Sequence, residues 1–387
     1  MTTFIDNCFN FDIPQPQLGI IALTGAYDFA RKVDDYLVTW YNDEAKRQNV
    51  NASVDTFIIK SIYPRFTSGD GKALVQESVR GKDIYIFCDV GNYSITYNMF
   101  GQTVPMSPDD HYADLKRVIS AMGGKAEKIS VVMPILYGGR QHRRSARESL
   151  DCAMMLRELE GLGVTEIITF DAHDPRVQNA SPLVGFDNFM PPYQMMKALL
   201  GKFHDLKLDK EHFMMISPDE GALDRNIYYA SILGINLGMF YKRRDYSVVL
   251  NGRNPIIAHE YIGDSVEGLD VMIADDIIAT GESMLSISEK LKKLGARRIF
   301  LVATFGLFTG GLEKFRAAYE AGLFNCVIST NLTYSTPELL AEPWFVSADM
   351  SKFTAYIVSA CNQQNSVSRL LDPHDKIREL IDNRDKK

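Results

Sequence analysis

The chain has 387 residues, of which 46% are hydrophobic and 24% charged, and its formal net charge at pH 7 is -7. This length predicts two domains, because a single hydrophobic core seldom grows so large. The acidic balance excludes a nucleic-acid binder with a broad basic surface, and the lack of an apolar run of about 20 residues excludes a membrane-spanning helix. The five cysteines lie far apart without CxxC spacing, which indicates a cytoplasmic protein without a disulfide framework.

Short runs rich in valine and isoleucine alternate with helical periodicity, which is typical of parallel α/β proteins. The predicted strands are, in chain order, 56–60, 83–88, 128–133, 166–170, 212–216, 236–241, 271–274 and 298–302. Helices are predicted over 27–41, 145–160 and 286–294, and two more between 352 and 384 are broken near Pro373. Because the strands are nearly continuous apolar runs, we expect helices on both faces of each sheet.

Prolines and a glycine between residues 181 and 193 predict a connection between two domains. We therefore expect an N-terminal domain over residues 1–192 and a C-terminal domain over residues 193–349. The helices of residues 350–387 are expected to pack back on the first domain.

The predicted strand 271–274 leads directly into two carboxylates, Asp275 and Asp276, and a helix follows from near Ser283. Ligands of open α/β sheets bind beyond the carboxyl ends of the strands. Backbone N–H groups of residues 280–283 at a helix N-terminus form an anion site, and the two carboxylates suit the hydroxyl groups of a ribose. The run therefore predicts a ribose-phosphate site; the alternative is an acidic turn with a helix cap.

This run is similar to the phosphoribosyl-pyrophosphate motif of the type I phosphoribosyltransferase fold. The resemblance implies an α/β protein with two pseudo-symmetric domains of that fold, each a parallel sheet flanked by helices. It implies that ribose 5-phosphate is bound by Asp275, Asp276, Ala279, Thr280, Gly281, Glu282 and Ser283. The enzymes that consume phosphoribosyl pyrophosphate and the synthetase that makes it share the motif, so the motif alone does not separate them.

The first half of the chain resembles the ribose-phosphate pyrophosphokinase family. The run RFTSGD at 65–70, followed by ESVRGKD at 77–83, is similar to that family's RFSDGE…VRGxD segment. The family uses the first part as a loop over the adenine and ribose of ATP, and the resemblance implies this role for Phe66, Ser68, Gly69 and Asp70.

A second run, PILYGGRQHR at 134–143, is similar to the family's PYxxYARQDR and implies that Arg140, Gln141 and Arg143 bind ATP. A forked guanidinium suits triphosphate oxygens and stacks on a purine. The alternative for these arginines is a solvated basic loop.

Two strand ends resemble the family's magnesium-binding motifs. The run DAH at 171–173 is similar to DLH, and SPDEG at 217–221 is similar to SPDxG. The resemblance implies Mg²⁺ as the cofactor, held by His173 and Asp219. A sparse set of protein ligands is expected, because Mg²⁺ completes its shell with water and phosphate oxygens.

The run YKRR at 241–244 looks like the family's DKRR, which implies that Lys242 and Arg244 stabilise the pyrophosphoryl group during transfer. It opens a polar stretch, 243–259, that suits a mobile lid over the reacting groups. A charged turn is the alternative.

The chain departs from the family pattern at several points. Ala279 replaces an acidic residue, Glu282 replaces a glycine, and Phe305 replaces a histidine. The stretch 140–147 is two residues shorter than the family's loop, so regulation by ADP and phosphate is not expected. The segment 92–111 is enlarged, so the family's hexamer cannot be assumed.

Together the motifs imply transfer of the pyrophosphoryl group of Mg-ATP to the C1 hydroxyl of ribose 5-phosphate. The expected partners are ATP, ribose 5-phosphate and further copies of the chain in a homo-oligomer, with no nucleic acid and no membrane. Two alternatives stay open: a phosphoribosyltransferase that consumes phosphoribosyl pyrophosphate, and a synthetase-like regulatory subunit without turnover.

Overall fold

A computed structural model describes Phe9 and residues 17–144, 146–244 and 256–385. The strands are β1 Gln17–Ala22, β2 Ser61–Ile62, β3 Leu74–Val75, β4 Lys82–Phe87, β5 Thr96–Met99, β6 Gln102–Pro105, β7 Lys128–Val132, β8 Glu166–Phe170, β9 Gly185–Phe189, β10 Phe213–Ser217, β11 Asn236–Arg244, β12 Ile256–Ile262, β13 Asp270–Ile278, β14 Arg298–Gly306, β15 Cys326–Thr330 and β16 Phe345–Ala348. The helices are α1 Tyr27–Arg47, α2 Pro108–Met122, α3 Asp151–Gly161, α4 Pro192–Lys202, α5 Leu223–Leu233, α6 Glu282–Lys293, α7 Glu313–Glu320, α8 Pro337–Leu340, α9 Ser351–Asn362, α10 Ser368–Leu371 and α11 His374–Asp385.

The first compact unit comprises Met1–Met190, Asn331–Tyr334 and Asp349–Leu371. Its centre is a parallel five-stranded sheet with the order β1-β4-β7-β8-β9. Successive side chains of a strand point to opposite faces. Ile167 of β8 therefore packs with α2 and α3, whereas Phe170 of the same strand contacts the Phe353 ring of α9.

Two late segments of the chain complete this first unit through buried carboxylates. Asp89 follows β4 and accepts hydrogen bonds from the Thr333 hydroxyl at 3.0 Å and from the Tyr334 backbone N–H at 3.2 Å. Asp83 accepts a hydrogen bond from the Asn362 amide at 2.9 Å. Because burial opposes ionisation, the pKa of Asp89 is raised to about 7.

The second unit comprises Pro191–Thr330, Ser335–Ala348 and Asp372–Lys387. Its seven-stranded sheet has the order β12-β11-β10-β13-β14-β15-β16 and is parallel except for β12, which pairs antiparallel at the edge. Helices cover both faces. Ile273 packs on one side with Ile287 of α6, while Met272 packs on the other with Leu199 of α4.

The prediction of a two-domain α/β fold with parallel sheets flanked by helices is confirmed. The division of the C-terminal helices differs from the prediction, because α9 and α10 join the first unit and α11 joins the second. Ile377 of α11 is fully buried with residues of α4 and α5 in the second unit's core. Pro373 separates α10 from α11, as predicted, since proline cannot continue a helix.

Several elements differ in extent from the sequence prediction. The run 56–60 forms only an isolated bridge between Ile58 and Ile20, and the predicted connection contains the edge strand β9. Helix α3 begins at Asp151, six residues later than predicted, and β13 continues through both predicted carboxylates to Ile278. No helix within the described ranges combines the length and the apolar character that spanning a membrane requires.

The enlarged segment 92–111 forms an antiparallel hairpin, β5–β6, and the first turn of α2. The helix starts at a capping box, in which the Ser107 hydroxyl accepts from the Asp110 N–H at 3.2 Å and the Asp110 carboxylate accepts from the Ser107 N–H at 2.9 Å. It ends at Gly123, whose φ of 60° is left-handed.

Candidate active site

The predicted adenine-binding residues form a tight loop, residues 65–71, in the first unit. Arg65 and Gly71 pair as an antiparallel bridge, and the Phe66 N–H donates to the Asp70 carbonyl at 2.8 Å. The Ser68 hydroxyl donates to the Asp70 carboxylate at 2.7 Å. The Phe66 side chain is 55% exposed, so its ring is available to stack on a ligand.

The predicted ATP-binding residues Arg140, Gln141 and Arg143 lie beyond the carboxyl end of β7, in a loop that turns at Gly138. All three side chains are exposed. The left-handed φ of Gly138, 64°, and the hydrogen bond from the Gln141 N–H to its carbonyl at 2.8 Å define the turn. The loop therefore presents two guanidinium groups to solvent at the ligand-binding edge of the sheet.

The predicted metal ligand His173 follows β8 and is exposed. A second histidine, which the motif comparison did not single out, lies beside it: the ring centroids of His142 and His173 are 5.2 Å apart. The His142 Nε2 atom is 3.6 Å from the Asp174 carboxylate. Arg176 holds the pKa of Asp174 down at about 2, so this carboxylate is charged at neutral pH.

The other predicted metal ligand, Asp219, is half-buried in the second unit, in the turn between β10 and α5. Its carboxylate accepts from the Ala222 backbone N–H at 3.1 Å. Asn226 of α5 is fully buried and exchanges hydrogen bonds with the backbone of Ala274, donating at 2.9 Å and accepting at 3.3 Å. Asn226 thus fixes α5 to β13 immediately before the predicted carboxylate pair.

Asp275 and Asp276 lie within β13, and a cation from α5 approaches both. The Arg225 guanidinium nitrogens are 3.6 Å from the Asp275 carboxylate and 4.0 Å from the Asp276 carboxylate. The pKa of Asp275 is raised to about 7, chiefly by burial and then by the charge of Asp276, while Arg225 opposes the rise. Sequence inspection missed Arg225, although it stands six residues after Asp219 in the same motif region.

The predicted phosphate-binding residues surround the N-terminus of α6. Thr280, Glu282 and Ser283 are exposed, and the helix begins at Glu282, after the N-cap residue Gly281, without a side-chain cap. Leading N–H groups of an uncapped helix bind anions. Gly281 has a left-handed φ of 75°, and a Cβ atom there would lie 2.1 Å from the Phe315 ring, so only glycine fits.

Glu282 would repel a phosphate at this helix terminus, but its charge has a partner. The Lys314 ammonium of α7 donates to the Glu282 carboxylate and lowers the pKa of Glu282. The ion pair therefore offsets the negative charge of Glu282, which stands where the family has a glycine. Ala279 is half-buried, and its carbonyl accepts from the Thr309 N–H at 2.9 Å.

Lys242 and Arg244 lie in β11, where Lys242 pairs with His259 and Arg244 with Ile256 of β12. An irregularity in the ladder falls between Arg243 and Arg244. Their side chains and residues 245–255, the centre of the predicted lid, lie outside the described part of the structure. The two ends of the predicted lid thus belong to the strands β11 and β12, and the lid itself stays a prediction.

Among the described residues, two groups bring three ligand-type side chains together: Glu166, Asp187 and Cys361, and Asp209, Glu211 and His212. Neither contains His173 or Asp219. In the first group Lys128 already supplies a cation, since its ammonium donates to the Glu166 carboxylate at 2.9 Å. The magnesium assignment to His173 and Asp219 stays a prediction.

Comparison with known proteins covers both halves of the chain. A family model described as the N-terminal domain of ribose phosphate pyrophosphokinase matches residues 18–163, and a phosphoribosyl transferase domain model matches residues 192–337. Proteins named ribose-phosphate pyrophosphokinase from Vibrio vulnificus and Shewanella oneidensis are each 28% identical over 312 and 314 residues, covering 80% of this chain and 90% of each relative.

The phosphoribosylpyrophosphate synthetase from Mycobacterium smegmatis has a crystal structure with a TM-score of 0.70 and 18% identity to this chain, covering 90% of this chain and 100% of that one. This likeness supports the fold. Fold and matches define an α/β enzyme whose second half has the phosphoribosyltransferase fold. More particularly, the chain belongs to the ribose-phosphate pyrophosphokinase family.

Proposed function

We propose that this enzyme transfers the pyrophosphoryl group of ATP to the C1 hydroxyl of ribose 5-phosphate, giving 5-phosphoribosyl 1-pyrophosphate and AMP. The observation that carries the proposal is the uncapped N-terminus of α6 directly after the Asp275 and Asp276 pair, in a chain whose first half matches the pyrophosphokinase N-terminal domain. A phosphoribosyltransferase domain alone would support binding of the sugar phosphate but not the use of ATP.

The acceptor is held by the second unit. The backbone N–H groups and hydroxyls of Thr280 and Ser283 bind the 5-phosphate, because the helix N-terminus favours an anion. Asp275 and Asp276 accept hydrogen bonds from the ribose hydroxyls. Arg225, at 3.6 and 4.0 Å, favours the ionised, accepting form of the carboxylates and opposes the rise in the pKa of Asp275.

The donor is held by the first unit. Phe66 stacks on the adenine. The loop around the nucleoside is formed by Ser68, Gly69 and Asp70. The triphosphate is bound by Arg140, Gln141 and Arg143. The exposure of the Phe66 ring and of both arginines supports these assignments. The C1 oxygen of ribose 5-phosphate attacks the β-phosphorus and the bond to the α-phosphate oxygen breaks, so AMP leaves without a covalent enzyme intermediate.

His173 and Asp219 would hold the magnesium ion. An exposed imidazole and a half-buried carboxylate are too few to bind Mg²⁺ tightly alone, which suits an ion that keeps water and phosphate ligands. When bound, Mg²⁺ neutralises triphosphate charge. Lys242 and Arg244 neutralise charge at the transferred group, in a step catalysed mainly by positioning and electrostatics. We also propose a cytoplasmic location and a homo-oligomer.

The test is incubation of the purified protein with ATP, Mg²⁺ and ribose 5-phosphate, with AMP and phosphoribosyl pyrophosphate quantified by chromatography. Equal amounts of the two products are expected. Release of pyrophosphate from added phosphoribosyl pyrophosphate that requires a nucleobase, without AMP formation, would establish the phosphoribosyltransferase alternative. Nucleotide binding without turnover would establish the regulatory subunit.

The role of Lys242 is tested in the same assay. Lys242→Ala should lower kcat by about a hundredfold or more, because a charge that acts mainly in the transition state is lost. KM for both substrates should change little. An active wild type with an almost unchanged Lys242→Ala variant would show that the lysine has another role.

A further inference from the structure

The hairpin β5–β6 has a strained tip that burial does not explain. Its two-residue turn, Phe100 and Gly101, has positive φ angles of 48° and 77°. A bulky residue rarely adopts this conformation, for which glycine and asparagine are preferred. Phe100 is also 81% exposed, so its side chain gains little from packing. Strain of this kind is retained where the surroundings fix the backbone, and it points to a functional contact.

The tip of the hairpin contacts the tip of loop 65–71. The Phe100 backbone N–H donates a hydrogen bond to the Thr67 carbonyl at 2.9 Å. Next to it, Met99 packs on Gly69: a Cβ atom at Gly69 would lie 2.7 Å from the Met99 Sδ atom. Gly69 also has a φ of 94°, so both the backbone conformation and the contact with Met99 exclude a side chain there. The two backbones therefore approach each other closely at the predicted nucleoside-binding residues.

The base of loop 65–71 is fixed by the same hairpin and by α2. The Arg65 guanidinium lies 5.3 Å from the centroid of the Tyr97 ring of β5. It also donates to the Asp114 carboxylate of α2 at 2.8 Å, and only 8% of its side chain is exposed. A guanidinium that is buried between a carboxylate and an aromatic ring has little freedom.

We propose that β5–β6 is a positioning element for ATP: it holds loop 65–71 in the shape that binds the adenine and ribose. The inference rests on the proposed function, because it assigns a role within the ATP site. Contacts at Thr67, Gly69 and Arg65 act on the residues around Phe66 and Asp70, all within the first unit. A pre-ordered loop loses less conformational entropy on binding, so the hairpin raises ATP affinity.

The experiment compares three variants of the full-length protein. In the first, residues 98–103 are replaced by Asn-Gly, which makes a two-residue turn between the paired residues Tyr97 and Val104 and removes the hairpin tip. The second is Met99→Ala, which removes the packing on Gly69. The matched control is Gln102→Ala, because Gln102 pairs with Met99 across the hairpin and its side chain is exposed.

We expect KM for ATP to rise about tenfold in the shortened variant and about threefold in Met99→Ala, with KM for ribose 5-phosphate unchanged. Calorimetry with a non-hydrolysable ATP analogue should show the same increases in Kd. The control should match the wild type. If the shortened variant does not fold, the proposal is tested by comparing the KM for ATP of Met99→Ala with that of Gln102→Ala.

An unchanged KM for ATP in Met99→Ala, or equal rises in both KM values with a lower Tm, overturns the proposal. Failure of the proposed function has a different signature. A wild type that forms no AMP refutes the reaction, while binding of the ATP analogue to the variants still tests the hairpin.

Discussion

Arg225 offers a direct test of the charge balance at the predicted ribose site. In the variant Arg225→Met, a cation 3.6 Å from one carboxylate and 4.0 Å from the other is replaced by an apolar side chain of similar length. At this distance the unscreened attraction is about 4 kcal/mol with an effective dielectric constant of 20. The Asp275 side chain is 31% exposed, so solvent reduces this figure.

The wild-type pKa of Asp275 is about 7. A nearby opposite charge lowers a carboxyl pKa by roughly 1–3, so losing Arg225 should raise it to about 8 even after strong screening. At pH 7.5 the ionised fraction then falls from about three quarters to about one quarter. If the ribose hydroxyls require the ionised carboxylate, KM for ribose 5-phosphate rises about threefold at pH 7.5 and recovers at pH 9.

The assay is the pH profile of kcat/KM for ribose 5-phosphate between pH 6 and 9.5, with saturating ATP. Arg225→Lys keeps the positive charge and should retain most of the wild-type profile, whereas Arg225→Met should shift the acidic limb to higher pH. A KM increase of the same size at every pH would refute the reasoning, because Arg225 would then act through contact or folding and not through ionisation.

Three further changes test the second unit's phosphate site and the first unit's buried carboxylate. Lys314→Ala should raise KM for ribose 5-phosphate about threefold at low salt and less at high salt, because the Glu282 charge then faces the phosphate unpaired; identical effects at both salt concentrations would contradict this. Gly281→Ala should lower the free energy of unfolding by about 1–3 kcal/mol in a denaturant titration, since the new Cβ would overlap the Phe315 ring; an unchanged midpoint would show that the helix start shifts freely. Asp89 has a folded pKa of about 7, above its ordinary value of 3.8, so its contribution to stability is fully present below about pH 4 and is lost as the pH rises through 7. Wild-type unfolding free energy should therefore fall between pH 5 and 8 more than that of Asp89→Asn, and parallel curves would rule out Asp89 as the titrating group.

The sequence carried most of the information about the phosphate site. Strand, carboxylate pair and helix start are local features, so Asp275 and the residues around Gly281 could be located from neighbouring residues alone. The partners of these residues could not be located from neighbouring residues. Arg225 and Lys314 reach the site because α5 and α7 pack on particular strands, and tertiary packing has no local signature in the sequence.

The parts of the fold that were missed have different causes. The strand β15 could have been found, since Cys326–Thr330 is an apolar run like those that were recognised. The hairpin β5–β6 was recognised only as an enlarged segment, because each of its strands has only 4 residues and none of them is fully buried, which is too little for a clear apolar pattern. The position of α11 depends on where Ile377 is buried, which periodicity cannot reveal.

The interleaved first unit has a consequence for biosynthesis. The hydrogen-bond donor to Asp89, Thr333, lies 244 positions further along the chain and is translated later. The donor to Asp83, Asn362, lies 279 positions further along. On the ribosome, the N-terminal sheet must therefore persist without these partners while most of the second unit, Pro191–Thr330, is translated. Closing such long loops slows folding. A recombinant fragment that ends near residue 190 would leave both carboxylates without these hydrogen bonds, so the first unit should be produced only as part of the full polypeptide.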